Sequence, residues 1–179
     1  VERTTAPDGG FQIGVRVHPT LVPLDHPLAS VRGSFNAVFV EGGAAGDLMF
    51  YGHGAGGRPT ASAVLGDLID AAGNLRQGHA ASIGALERAR IAPIDYVTSA
   101  FYLNVEVDDR PGVLAQVATV FGQHGVSIRS MEQEGLGGEA RLVFITHAAR
   151  ERDLRSTLQD LRSLDAVRSV GSVLRVIGD

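Results

Sequence analysis

The sequence predicts an α+β protein in two parts: a β-rich N-terminal part carrying one helix, then a ferredoxin-like part with the element order βαββαβ. Three observations predict the second part. Phe101, Leu103, Val105 and Val107 alternate with Tyr102, Asn104 and Glu106, the two-residue period of a strand with one buried face. Val113, Leu114, Val117, Val120 and Phe121 then recur at helical spacing. The same strand and helix signals repeat to residue 177 in the order of a split βαβ unit.

The elements follow in order. Phe11–Val17 alternates apolar and polar and predicts a strand, which His18-Pro19 and Val22-Pro23 interrupt, because proline removes a ladder donor. Ala37-Val38-Phe39-Val40 and Asp47–Tyr51, joined through Glu41-Gly42-Gly43, predict a hairpin. The glycine cluster Gly52–Gly57 precedes a helix expected from Thr60 to Ala72. Thr60 is its N-cap, and Ala63, Val64, Leu65, Leu68 and Ile69 form its buried side. Gly73-Asn74 is expected to end that helix. Residues 73–98, including the aperiodic run Gln77–Gly84, read as a connector, and Ala92-Pro93 as an extended approach to the next part.

The second part begins with the strand Phe101–Asp108 and the helix Gly112–His124. Pro111 suits the first turn of that helix, where its missing N–H costs nothing, and Asp108 or Asp109 is the expected N-cap. A strand over Ser127–Glu134, the turn Gly135-Leu136-Gly137-Gly138 and a strand over Ala140–His147 come next. Within the latter, Leu142–Ile145 reads as apolar on both faces. The helix Glu151–Leu161 carries Leu154, Leu158 and Leu161 on one side, and the last strand is Val167–Ile177. Such a fold leaves a sheet face and an edge that need cover, which makes a homo-oligomer, a dimer or a tetramer, the expected state.

Composition narrows the chemistry. The chain has 179 residues, 44% of them hydrophobic, and a net charge of −4, so no nucleic acid or anionic membrane partner is expected. No apolar run is long enough to span a bilayer. Cysteine is absent, which excludes thiol catalysis and Cys-ligated zinc and fits a reducing, cytoplasmic location. All 16 basic residues are arginine, so no lysine is available for catalysis, a Schiff base or a P-loop. The first residues lack an apolar signal core, and the start at Val1 reads as a piece of a longer chain.

Several motifs have two readings. The Gly52–Gly57 cluster follows a strand and precedes a helix, as a dinucleotide fingerprint would. Asp67 and Asp70 lie on the helix itself rather than at the end of a second strand, so the cluster reads as a tight turn. His18, His26, His53, His79, His124 and His147 have no metal-ligand spacing, and no metal is expected. Arg150, Arg152, Arg155, Arg162 and Arg168 interleave with Glu151, Asp153, Asp160 and Asp165, which is a solvated surface. The strand, Pro-Gly turn and helix at 101–121 place unpaired helix N–H groups where a small anionic molecule such as an amino acid fits. Asn104, Ser127, Ser130 and Thr146 are polar groups that could add contacts.

Two family resemblances follow from these motifs. Asp109-Arg110-Pro111-Gly112-Val113-Leu114, His124-Gly125-Val126-Ser127-Ile128 and the element order resemble the ACT family of amino-acid-sensing modules. Val17–Val22, His26-Pro27-Leu28-Ala29, Asn36-Ala37-Val38, Phe50-Tyr51-Gly52 and Gly54–Ser62 resemble the homoserine dehydrogenase family. The implied domains are the C-terminal part of a catalytic, substrate and dimerisation domain at 1–78, a linker at 79–98 and an ACT regulatory domain at 99–179.

The resemblance implies that the complete enzyme interconverts L-homoserine and L-aspartate 4-semialdehyde with NAD(P), in threonine, methionine and isoleucine biosynthesis. It implies no catalytic residue in this chain, because the family's nucleotide domain and catalytic lysine lie upstream. It implies Gly56 as a cofactor contact in the full-length enzyme, with no cofactor bound to this piece alone. It implies L-threonine as the effector, bound by Asp109, Gly112, Val113, Leu114, Ser127 and Ile128, partly from a paired chain. A stand-alone ACT-type sensing or dimerisation module without catalysis is the alternative.

Overall fold

The computed structural model describes residues 1–6, 8–79, 86, 88–135 and 137–177. The expected turn residue Leu136 and the connector run Ala80–Gly84 lie outside them. The chain divides into two compact units, Val1–Pro23 with Ala89–Asp179, and Leu24–Arg88.

The first unit opens with β1 (Glu2–Thr5) and β2 (Phe11–Gly14), an antiparallel pair in which Glu2 faces Gly14. The expected strand 11–17 is therefore shorter. Beyond Gly14 the chain turns to other partners: Arg16 reaches Ser99 Oγ at 2.6 Å and Glu2 Oε1 at 3.3 Å. Residues 90–92 run beside β2, with Ile13 N–H donating to Arg90 O at 2.8 Å and Ala92 N–H to Ile13 O at 3.0 Å. Residues 90–92 are thus tied to the N-terminal strands, and a 3-10 turn over Ile94–Tyr96 follows them.

The rest of the unit is the expected α+β, ferredoxin-like arrangement. It comprises β6 (Thr98–Asp108), α2 (Val113–Gln123), β7 (Ile128–Gly135), β8 (Glu139–Thr146), the short β9 (Ala149–Arg150), α3 (Glu151–Ser163) and β10 (Val167–Val176). The sheet order is β3 (Thr20–Leu21), β10, β6, β8, β7, with β9 pairing the start of β6. Here β3 joins the sheet from the N-terminal region and runs parallel to β10, opposite Arg175 and Val176. Alternation decides which side of each strand is covered. Leu103, Val105, Val107, Leu142 and Phe144 are buried against Val117 and Phe121 of α2 and Leu154 and Leu161 of α3. The Phe121 and Phe144 rings lie 5.0 Å apart. Val143 and Ile145, on the other face of β8, are apolar as expected and half-buried. Thr146, buried on that inner face, accepts from the Phe101 N–H at 3.0 Å, which satisfies a backbone donor inside the core.

The second unit holds the hairpin of β4 (Phe35–Gly42) and β5 (Gly46–His53), followed by α1 (Gly57–Arg76). The helix starts three residues before Thr60, which is a helical residue rather than the N-cap. Gly56 occupies that position, at φ 128° and ψ 140°, a conformation suited to glycine. At the other end α1 continues past Gly73-Asn74 to Arg76 and stops before Gly78, at φ 72°. The expected buried side of α1 is exposed: Val64, Leu65, Leu68 and Ile69 are 53–70% accessible. Their spacing forms an apolar stripe as expected, yet no side chain among the described residues of 24–88 is buried.

Candidate functional site

The C-terminal end of β6 and the start of α2 enclose an open pocket of about 350 Å³, lined by the run 107–114 with Gln133 and Leu142. The local sequence explains the shape. Asp108 closes β6. Arg110 N–H turns back to Asp108 O at 3.0 Å, and Pro111 and Gly112 complete the turn. Gly112 sits at φ 88°, the left-handed region, and is the N-cap of α2 with no side chain to cap it. The expected Asp108 or Asp109 cap is therefore not made: two residues and a left-handed step separate the acids from the first helical turn. Asp109 instead pins the turn through its backbone, its N–H donating to Gly138 O at 3.2 Å.

The first turn of α2 leaves donors free. Val113 N–H reaches Arg110 O at 3.3 Å and Gln116 N–H reaches Gly112 O at 3.1 Å. The N–H groups of Leu114 and Ala115 have no backbone acceptor among the described residues. A helix N-terminus with free donors favours an anion such as a carboxylate. The walls around it are aliphatic, from Val107, Val113, Leu114 and Leu142.

The charges of the rim are arranged unequally. Arg168 Nε donates to Asp108 Oδ1 and Arg110 Nη2 to Oδ2, each at 2.8 Å. Arg168 also pairs with Glu139. The bond from Arg168, the largest effect, together with the charge of Arg110, holds the Asp108 carboxyl below its ordinary range despite the opposing effect of burial. Asp109 makes no side-chain hydrogen bond among the described residues and lies beside Gly135, where an added Cβ would meet its carboxylate at 3.5 Å. The pocket thus offers a carboxylate for an ammonium, free N–H groups for a carboxylate and an apolar wall for a side chain.

Four of the expected effector residues, Asp109, Gly112, Val113 and Leu114, meet in this pocket. Ser127 and Ile128 do not line it. They follow the far end of α2, and Ile128, paired with Thr146, is five residues from Gln133 along β7, roughly 17 Å at about 3.3 Å per residue. Gln133 lines the pocket and was not singled out from the sequence. The signal was available: counting back from the Gly137 turn pairs Gly135 with Ala140 and Gln133 with the inward-facing Leu142.

Gly56 lies in the other unit, at the start of α1. The N–H groups of Gly57 and Arg58 have no backbone acceptor among the described residues, so this end of the helix can take an anionic group. A Cβ on Gly56 would press on Pro59 at 3.3 Å. Two histidines hold local structure, one in each unit: His26 Nδ1 accepts from Leu28 N–H at 3.1 Å and its ring packs against Phe39, while His18 Nδ1 pairs with Thr20 Oγ1 at 2.8 Å. Among the described residues no helix is long and apolar enough to cross a membrane.

Comparison with known proteins finds relatives of both parts of the chain. Residues 3–69 match the family model for homoserine dehydrogenase, and residues 101–166 match that for the ACT domain. The homoserine dehydrogenase of Corynebacterium glutamicum is 47% identical over 179 residues, covering 99% of this chain and 40% of that protein. That of Mycobacterium tuberculosis is 47% identical over 187 residues, covering 99% and 42%. Among solved structures, a homoserine dehydrogenase from Thiobacillus denitrificans superposes with a TM-score of 0.84 at 32% identity, over 97% of this chain and 40% of that one. One from S. aureus gives 0.56 at 25% identity, over 90% and 37%. The chain spans about 40% of the length of the curated relatives it matches.

Proposed function

We propose that this chain, which joins a C-terminal region of the homoserine dehydrogenase family to an ACT domain, is the regulatory end of an enzyme interconverting L-homoserine and L-aspartate 4-semialdehyde. The observation that carries the reading is the convergence of Asp109, Gly112, Val113 and Leu114 on one pocket of the ACT domain. The effector is an amino acid, and L-threonine fits: its ammonium meets Asp109, its carboxylate meets the free N–H groups of α2, and its small side chain meets the aliphatic wall. Binding would change activity only through a difference in affinity between two states of the whole enzyme.

NAD(P) supplies or accepts the hydride when bound to the complete enzyme. In this chain Gly56 is the contact we assign to it, through the free donors that open α1. The reacting groups lie elsewhere, since the chain has no lysine. The uncovered apolar stripe of α1 supports a place in a larger catalytic domain over a self-sufficient sensor. Ser127 and Ile128 lie away from the pocket within one chain and would reach an effector only in a paired ACT domain.

The test is calorimetry with L-threonine on the chain and on Gly112→Asp. The parent is expected to give saturable heat. The variant places a second anion where a carboxylate should bind and forces a side chain into left-handed backbone, at a cost of about 1–2 kcal/mol. Its affinity should fall at least about tenfold. Silence with threonine and saturable binding of isoleucine or methionine would reassign the effector.

A further inference from the structure

Taking the pocket as the effector site proposed above, we infer that Gln133 is the residue that selects a hydroxyl-bearing effector over its apolar isostere. The polar groups of the lining have separate tasks. Both oxygens of Asp108 are engaged, by Arg168 and by Arg110, each at 2.8 Å. Asp109 and the N–H groups of α2 serve the charged ends of an amino acid. Gln133 remains. Among the described residues it is the single uncharged side chain of the lining able to hydrogen-bond, and it makes no side-chain hydrogen bond to any of them.

Its place in the sheet explains why it reaches the pocket. Gln133 pairs with Leu142, which is 1% exposed on the face covered by α2, so Gln133 belongs to that face at the outer strand. Its neighbours Glu132 and Glu134 pair with Val143 and Arg141 and belong to the other face. A carboxamide both donates and accepts, and so can satisfy both capacities of a hydroxyl. An isosteric methyl in the same place would cover the carboxamide and remove its water without replacing that hydrogen bond. A neutral hydrogen bond lost in this way corresponds to about tenfold in affinity.

The experiment is calorimetry of the 179-residue chain with L-threonine and with L-valine, its isostere, on the parent, Gln133→Leu and Gln133→Met. The Met variant keeps the unbranched length of the side chain and serves if Leu perturbs the fold by circular dichroism. The parent should prefer threonine about tenfold, and the variants should narrow the ratio to within about threefold by losing threonine affinity while keeping that for valine. A parent that binds both alike, a folded variant that keeps the preference, or one that loses both ligands equally overturns the role of Gln133 and leaves the effector site standing. A parent that binds neither amino acid overturns the effector reading itself.

Discussion

Asp108, at the end of β6, accepts a hydrogen bond from Arg168 Nε of β10 at 2.8 Å, so the last strand of the chain holds a carboxylate on the pocket rim. The same guanidinium pairs with Glu139 at the start of β8. One side chain thereby joins three strands at the end of the sheet where the pocket opens.

This pairing makes a pH prediction. Asp108 titrates below its ordinary value of 3.8 because of Arg168 first and Arg110 next. A carboxyl lowered in the folded chain stabilises it above the unfolded value, and that contribution is lost as pH falls through the folded value. Arg168→Ala should move the Asp108 titration upward, toward the ordinary range, in carboxyl-detected NMR. A midpoint unchanged or lower in the variant would refute the assignment.

Catalysis is expected to fail in this chain alone. With no lysine present, homoserine and either NAD or NADP should give no change in nicotinamide absorbance above a protein-free blank. Measurable turnover would show that the reacting groups are here.

Self-association is the third expectation. β7 is an outer strand of the sheet with every residue from Arg129 to Gly135 exposed, whereas β10 is covered in part by β3. A free edge of this kind invites pairing. Light scattering at micromolar concentration should report at least a dimer; a clean monomer would count against it.

The two units should respond differently to truncation. Phe121 is 1% exposed and packs on Phe144, so Phe121→Ala should cost about 3–5 kcal/mol in denaturant unfolding. Ile69 is 70% exposed, so Ile69→Ala should stay within about 0.5 kcal/mol. A large loss at Ile69 would mean that its stripe is covered in solution, for instance by a second copy.

Much of this protein was legible in its sequence because local patterns are local physics. The alternation from Phe101 to Val107 and the spacing from Val113 to Phe121 set strand and helix, and the sheet of β6, β7, β8 and β10 followed in the expected order. Asp109, Gly112, Val113 and Leu114 are contiguous with that turn, so the turn alone brought them together. What periodicity cannot supply is the partner. It marked the stripe of α1 as a face seeking cover, but not whether this chain contains the cover. Helix-start signals gave Asp108 or Asp109 a cap to make, whereas Arg168, 60 residues from Asp108, had the stronger claim on the charge of Asp108. Pairing register across the β7–β8 turn put Gln133 in the pocket and carried Ser127 and Ile128 away from it. Sequence determined the elements and the turn that joins them; tertiary structure decided which distant charges, strands and faces that turn would meet, because those choices depend on separations in space that no local period encodes.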